Sequence, residues 1–531
     1  MKKLLVIILV ISVTVFSCAK KGRPSGGPKD TTPPVMLKSV PDNYSINFTG
    51  QEIEIYFNEY VKLKDLTKQL IISPPLNITP LISPQGGANK SIKIKIFDTL
   101  KPNTTYSFNF GKSIVDNNEG NPFSFFKYVF STGKNIDSLE FTGSIRDAIS
   151  KTADDFVSVM LYEIDSTFTD SVVYNETPRY ITNTLDSTTN FKFENLKAGK
   201  YLLTALKEES DNYKFNQKTD KIAFKKDFIT FPSEETPELI LFKEIENYKA
   251  LKAKHERKNR IKFRYEGEAT EDISVDLLSD IKIESKITKE IDNDTLQYWF
   301  KPNVDLDSLN FKMTHKKQID TFTVRIRKKV KSDSLSFKSS SSNLTLTENY
   351  TIVPSIPITK VDDSKINIMD KDSIVVPFKS SIAPLTSVIN LEFEKEESQK
   401  YTIDILPEAF TDFFEATNDT LNYRASTKAL KDYGNLRVTL INANKSSLIV
   451  QLVSNKGEVK YEKSGTDKKV FNFSKITPAI YNLRVIFDTN NNKMFDTGNY
   501  LKKLQPERVS YHPEEIEVRA NWDVDEQFTL K

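Results

Sequence analysis

Apolar and polar positions alternate one by one through much of the chain. The clearest runs are Glu52-Ile53-Glu54-Ile55-Tyr56-Phe57 and Ser91-Ile92-Lys93-Ile94-Lys95-Ile96-Phe97. Successive side chains on a strand point to opposite faces, so a period of two predicts half-buried strands. Comparable runs at 201–206, 321–326, 401–406 and 436–441 predict more of them. Asp, Asn, Pro and Ser separate the runs at about ten-residue spacing, as turns do between the strands of sandwiches. One stretch departs from this pattern. Residues 249–264 hold eight basic residues, among them Lys252, Lys254, Arg257, Lys258 and Arg260. It reads as a short basic helix or a solvated linker, with contact to lipid phosphates or an acidic partner as the alternative.

The pattern also recurs at long range. Phe191-Lys192-Phe193-Glu194-Asn195-Leu196 and Tyr201-Leu202-Leu203-Thr204-Ala205-Leu206 return, 280 positions later (191 to 471) and without a gap, as Phe471-Asn472-Phe473-Ser474-Lys475-Ile476 and Tyr481-Asn482-Leu483-Arg484-Val485-Ile486. Asn212 and Phe215 return as Asn492 and Phe495. Each copy predicts a strand, a short turn and a second strand that opens into a polar loop. These segments resemble the transthyretin-like (prealbumin-type) sandwich of carboxypeptidase regulatory domains. A weaker echo links Tyr401-Thr402-Ile403-Asp404-Ile405 and Phe410-Thr411-Asp412 to 106–110 and Asp116.

At 531 residues the chain is long enough for several domains of about 100–150 residues each. The 75 Lys and Arg nearly balance the 72 Asp and Glu, so no basic field for nucleic acid is implied. Phe (35) and Tyr (21) are abundant while Gly is scarce at 16, which suits aromatic β cores. One Cys and three His, at 255, 315 and 512, count against zinc, iron–sulfur, thiol-protease and Ser–His–Asp chemistry, all of which need clusters of these residues. Adjacent carboxylates such as Glu208-Glu209 face opposite sides of a strand and make no glycosidase pair. No P-loop, dinucleotide fingerprint or nucleophile elbow is present. The chain is therefore expected to bind rather than catalyse.

The single cysteine changes the picture. Lys2 and Lys3 precede an apolar run from Leu4 to Val10, and the run closes on Val15-Phe16-Ser17-Cys18. Such a run is too short to span a bilayer as a helix. The last four residues resemble the lipobox of bacterial lipoproteins, with Phe16 a departure from the usual small or aliphatic residue. The resemblance implies that Cys18 is lipidated and becomes the first mature residue. Acyl chains hold a protein to the membrane at about 0.8 kcal/mol per buried CH₂. Residues 19–34, with Gly22, Gly26, Gly27, Pro24, Pro28, Pro33 and Pro34, have no apolar face to bury and read as a tether. Ala19 resembles the pattern of lipoproteins sent to the outer membrane, while the acidic run that marks surface export in Bacteroidota is missing. The leaflet stays open, with the cell surface favoured.

Residues 33–134 resemble the bacterial Ig-like domain of the S-layer type. The resemblance rests on Pro33-Pro34, Ser39-Val40-Pro41, Asn58-Glu59-Tyr60-Val61, Leu100-Lys101-Pro102-Asn103-Thr104-Thr105-Tyr106, Ile114-Val115-Asp116, Gly120-Asn121 and Phe130-Ser131-Thr132-Gly133. With Gly26-Gly27-Pro28-Lys29-Asp30 before it, the string is similar to Bacteroidota lipoproteins carrying this domain. That resemblance implies an accessory subunit of an outer-membrane protein assembly or transport complex, meeting a barrel protein or other envelope lipoproteins. A glycan-binding or adhesive cell-surface protein is the alternative, although Trp299 and Trp522 read better as core or edge packing than as a sugar platform. The expected architecture is all-β: tandem Ig-like and transthyretin-like sandwiches behind a lipidated tether. Its parts are a signal peptide (1–17), tether (18–32), Ig-like domain (33–134), transthyretin-like sandwich (135–243), a sandwich with a basic entry segment (244–345), degenerate Ig-like domain (346–424) and second transthyretin-like sandwich (425–531).

Two features carry candidate chemistry. In 488–496, alternation turns Asp488, Asn490 and Asn492 toward one point, with Asp496 as a further oxygen donor, as calcium loops do. Lys493 stands where such a loop wants Gly, and Asn499 where it wants Glu. Calcium and a polar hairpin loop are both open readings. The earlier copy offers Glu208, Ser210, Asn212 and Asn216, a poorer set. Asp-Ser/Thr followed by an aliphatic residue or Thr occurs eleven times, for example at Asp98, Asp137, Asp294 and Asp372. The pattern resembles the O-glycosylation signal of Bacteroidota envelope proteins. It equally makes a turn from which the aliphatic residue opens a strand.

Overall fold

Strands account for nearly all regular structure in the computed structural model, which describes residues 29–530 apart from 185–188, 211, 270–272, 340, 341 and 444. The predicted period is visible in burial. Glu52–Leu63 sends Ile53, Ile55, Phe57 and Val61 inward, and Gly434–Ile441 sends in Leu436, Val438 and Leu440. The chain is a tandem array of Ig-like β-sandwiches, each pairing two sheets over an apolar cluster.

The first sandwich sets Met36–Val40, Glu52–Leu63, Asn89–Lys95 and Leu81–Ser83 against Ile71–Ser73, Thr105–Asn109 and Lys127–Ser131. The fourth repeats its framework at an offset of 295 (from Tyr106 to Tyr401). Tyr106 Oη accepts the Lys101 amide at 2.9 Å, and Tyr401 Oη accepts the Glu396 amide at 2.8 Å. Thr132 Oγ1 accepts the Thr104 amide, and Thr427 Oγ1 accepts the Gln399 amide, each at 3.0 Å. Two buried aspartates close the equivalent turns. Asp116 accepts the amides of Asn118, Glu119, Gly120 and Asn121, whereas Asp412 accepts those of Phe414 and Ala416. Burial pushes both carboxyls up; four amides outweigh it at Asp116, which titrates below its ordinary range, and two do not at Asp412, which titrates above.

The second and fifth sandwiches share a topology. One sheet runs Tyr180–Asn183, Ser158–Glu163, Gly199–Lys207, Lys221–Phe224, with Ile229–Phe231 also on Gly199–Lys207. Its counterpart runs Val459–Thr466, Ser447–Val453, Ala479–Phe487, Val509–Tyr511, with Ile516–Val518 on Ala479–Phe487. The opposing sheets are Asn190–Leu196, Leu139–Asp147, Glu238–Leu241 and Val470–Ile476, Gly434–Ile441, Asp523–Thr529, each with its last strand parallel to the middle one. Asn195 and Lys475 take the same left-handed backbone, at φ 60° and 57°.

Two sequence expectations are corrected. The 201–206 run is buried on both faces instead of alternating. Tyr201, Leu203 and Ala205 fill the sandwich core, while Leu202 and Leu206 enter a second cluster with Ile71 of the first sandwich and Tyr500 of the fifth. The basic stretch 249–264 is not a helix. It forms Lys249–Ala250, Lys254–Arg257 and the start of Arg260–Glu266, because Ile261, Phe263 and Tyr265 recur at period two and pack inward.

The fifth sandwich folds back onto the second, so that the third and fourth form an arc between the two copies. The loop 488–508 brings Tyr500, fully buried, against Phe224 and Tyr174, and its amide donates to Glu244. Burial of Glu244, outweighing the donors from Tyr500 and Gln217, raises its carboxyl above the ordinary glutamate value. Reciprocally, Arg484 on the outer face of the fifth sandwich donates through Nη1 to the Ile149 carbonyl at 2.9 Å, and Tyr511 Oη donates to the same carbonyl at 2.7 Å.

Candidate functional site

The residues flagged in the C-terminal loop lie between Ala479–Phe487 and Val509–Tyr511. The structure brings Asn490, Asn492 and Asp496 together: both asparagine Nδ2 groups donate to Asp496 Oδ2, at 2.5 and 2.9 Å. Asp488 serves the backbone instead. Its Oδ1 accepts the Asn492 amide at 3.1 Å and its Oδ2 the Lys493 amide at 3.0 Å. Glu507, which the spacing did not flag, accepts the Thr489 and Asp496 amides and is buried. Among the described residues, no group of three or more His, Cys, Asp or Glu side chains is placed to hold a metal ion.

The twin loop explains the motif. Glu208 Oε2 accepts the amides of Asn212 and Tyr213, both at 2.8 Å, in the place of Asp488. Asn212 Oδ1 accepts the Lys214 amide, as Asn492 Oδ1 accepts that of Met494. Tyr213 and Lys493 share a left-handed backbone, at φ 59° and 62°. A carboxylate capping two amides, with a left-handed residue at the crest, is a turn device written twice. The left-handed position is the one where a calcium loop wants Gly.

Other expected residues fall as follows. Cys18 lies outside the described residues. His255 is buried, its Nδ1 accepting the Arg327 amide at 3.0 Å and its Nε2 3.2 Å from the Lys258 carbonyl; burial holds its pKa below the ordinary value. His315 packs on the Tyr248 ring, and His512 on Phe528. Trp299 is buried, donating to Thr288 Oγ1, while Trp522 is exposed beneath Arg519. Of the Asp-Ser/Thr segments, Leu139, Thr295, Ser308 and Leu421 open strands directly. Among the described residues no helix is long and apolar enough to cross a membrane.

Several grooves sit at junctions between sandwiches. One of about 670 Å³ lies between the first and second sandwiches, lined by Asn109, Phe125, Lys127, Asn183 and Lys192. Another of about 380 Å³ lies between the third and fourth, lined by Arg260, Glu290, Trp299 and Ser387.

Residues 30–132 match the family model of the bacterial Ig-like domain, well short of half the chain. Among solved structures, the chain is similar to surface layer protein SbsC, domains 1–6, at 12% identity and a TM-score of 0.16, covering 92% of this chain and 67% of that one. It is also similar to SGBP-B of the Bacteroides ovatus mixed-linkage glucan utilization locus, solved with a mixed-linkage heptasaccharide, at 11% identity and a TM-score of 0.18, covering 72% and 91%. A three-Ig fragment of titin, I67–I69, matches at 11% identity and a TM-score of 0.12, covering 56% and 98%. No curated protein matches the sequence.

Proposed function

We propose that this chain is a non-enzymatic scaffold, held to the outer membrane through lipid at Cys18, and an accessory subunit of an outer-membrane protein assembly or transport complex. One observation carries the reading. The only cysteine ends an apolar N-terminal run and opens a Gly- and Pro-rich tether that leads into the first sandwich.

The folded part supports a structural role. Its buried charged groups close turns or join sandwiches: Asp116, Asp412, Asp488 and Glu507 hold backbone amides, and Glu244 and Arg484 bridge the second and fifth units. An array closed on itself presents strand edges at fixed positions relative to one another. Met36–Val40, Phe378–Ile382 and Val459–Thr466 are such edges, and free backbone groups there suit strand addition by a partner. The partner is a β-barrel or another envelope lipoprotein.

In the test, a tagged chain and its Cys18→Ala variant are labelled with radioactive palmitate and fractionated. The native chain is expected in the membrane fraction with label, and the variant in the soluble fraction without it. Label or membrane retention in Cys18→Ala overturns the anchor. Purification from detergent-solubilised membranes then reports the partner, and recovery without any outer-membrane barrel or lipoprotein overturns the scaffold role.

A further inference from the structure

We propose that the outer face of the first sandwich lies flat on the phospholipid surface that anchors the chain, with its lysines on lipid phosphates and its exposed rings at headgroup depth. This rests on Cys18 as the anchor and names the surface through which the folded body meets the membrane.

The first sandwich, one of five, carries ten of the 28 exposed large apolar side chains among the described residues. Its sheet of Met36–Val40, Glu52–Leu63, Asn89–Lys95 and Leu81–Ser83 turns Ile53, Ile55, Ile92 and Ile94 into the core. The opposite face presents Lys38 beside Tyr56, Val40 beside Glu54 and Lys93, and Leu81 beside Lys95 and Glu52. Phe97 continues that face beyond Lys95, whose ammonium lies 5.9 Å from its ring centre. Val40, Leu81 and Phe97 are each about half exposed. No other sandwich covers this face among the described residues, because the first sandwich meets the second through its other sheet, where the Ile181 amide donates to Ser73 Oγ at 3.1 Å. Lys38 lies over the Tyr56 ring at 5.0 Å, and at the end of the sheet Lys90 lies over Tyr60 at 5.5 Å. Lysines laid along aromatic rings, apolar stems inward and ammonium tips outward, suit the boundary between headgroups and acyl chains.

Position and charge select the lipid surface as the occupant. Cys18 stands 11 positions before Lys29 (18 to 29), and a Gly- and Pro-rich stretch of that length spans about 17–34 Å, from coil to polyproline. Strands about 4.8 Å apart and about seven residues long make a four-stranded face of about 19 by 24 Å, so the tether keeps all of it within reach of the bilayer. The tether enters at one end of the sheet, where Asn121 Nδ2 donates to the Asp30 carbonyl at 3.0 Å and Val61 pairs with Asp116. Asp30, Glu59, Asp116 and Glu119 gather at that end and repel an anionic surface, which turns the tip away and the lysine-bearing face toward it. On the face, Lys93 pairs with Glu54 at 3.5 Å and Lys95 with Glu52 at 3.6 Å. Lys38 and Lys90 pair with no carboxylate among the described residues, so the face keeps a net positive charge. At the millimolar effective concentration that a short tether provides, a contact too weak to hold the free chain is occupied, which leaves Cys18→Ala soluble.

The test supplies the anchor chemically, so that a chain without native lipid fails the palmitate assay and not this one. The chain from Cys18 onward is coupled through that thiol, its only one, to maleimide-bearing vesicles of phosphatidylethanolamine and phosphatidylglycerol with brominated acyl chains. Trp522→Phe removes the exposed tryptophan, and the buried Trp299 stays as an unquenched reference. Phe97→Trp then places a reporter on the face at the end opposite the tether, and Ile319→Trp places one at an exposed position of the third sandwich. The brominated chains are expected to quench Phe97→Trp and to leave Ile319→Trp bright. Adding Lys38→Gln and Lys90→Gln is expected to leave the thermal midpoint unchanged. The two exchanges are also expected to lower the ratio of docked to free chains roughly thirtyfold, about fivefold for each lysine near an anionic surface. Phe97→Trp unquenched, equal quenching at both positions, or quenching that the two lysine exchanges leave unaltered each overturns the proposal.

Discussion

Lys493 carries a left-handed backbone at the crest of its loop, where Asp488 collects its amide and that of Asn492. A side chain pays about 1–2 kcal/mol for that conformation and glycine almost nothing. Lys493→Gly is therefore expected to stabilise the fifth sandwich by about 1 kcal/mol, offset in part by the greater freedom of glycine in the unfolded chain. Calorimetry checks it, through an upward shift of the transition that includes this unit; a downward shift defeats the argument. The same change at Tyr213 is expected to destabilise, since that half-buried ring packs beside the second cluster. Position 493 was legible in the sequence, because loop spacing marks it as the place for glycine. Glu507 was not, because its distance along the chain from Thr489 gives no periodic signal.

At the scale of elements, period two located strands wherever one face meets solvent, as in Glu52–Leu63, Lys400–Ile405 and Gly434–Ile441. At 201–206 it located the strand but not its burial, since both faces are covered, and it was overridden by basic composition at 260–266, where Ile261, Phe263 and Tyr265 still alternate inward. The offset-280 repeat found both polar loops, and the structure gives their shared residues a shared task. The calcium reading meets a loop in which both Asp488 oxygens hold backbone amides and Asp496 Oδ2 holds two side-chain amides. Binding an ion there requires breaking these bonds. Excess chelator, followed by millimolar calcium, is accordingly expected to leave the thermal midpoint unchanged. A calcium-dependent rise, abolished in Asp488→Asn, decides for the ion. The echo of Tyr106 in Tyr401 was legible, and Thr132 stood in the string that resembles the Ig-like domain, but its counterpart Thr427 and the task the two share became visible only through their hydrogen bonds.

For the whole molecule, the decisive contact joins the two repeat copies, which the offset of 280 relates in sequence without placing them side by side. Tyr500 is buried in a cluster shared by the first, second and fifth sandwiches, and Gly498 lies against Phe242, where an added Cβ would come within 2.5 Å of the ring. Truncating a buried aromatic costs about 3–5 kcal/mol. Here the loss falls on the contact between units, because the fifth sandwich keeps its own core of Leu436, Val450, Phe471 and Leu483. Tyr500→Ala is therefore expected to release the fifth unit while leaving it folded: circular dichroism unchanged, and the radius of gyration from X-ray scattering increased as the arc opens. Gly498→Val is expected to do the same by steric means. The contact also carries a pH signature through Glu244. A carboxyl raised in the docked state contributes most below the ordinary glutamate value, and its contribution is lost as pH climbs through the raised one. Docking should thus loosen toward alkaline pH in the native chain and lose this dependence in Glu244→Gln, which still presents an oxygen to the Tyr500 amide. If scattering from Tyr500→Ala matches the native chain at every pH, the two repeat copies are not held by this contact, and the closed arrangement of the scaffold fails with it.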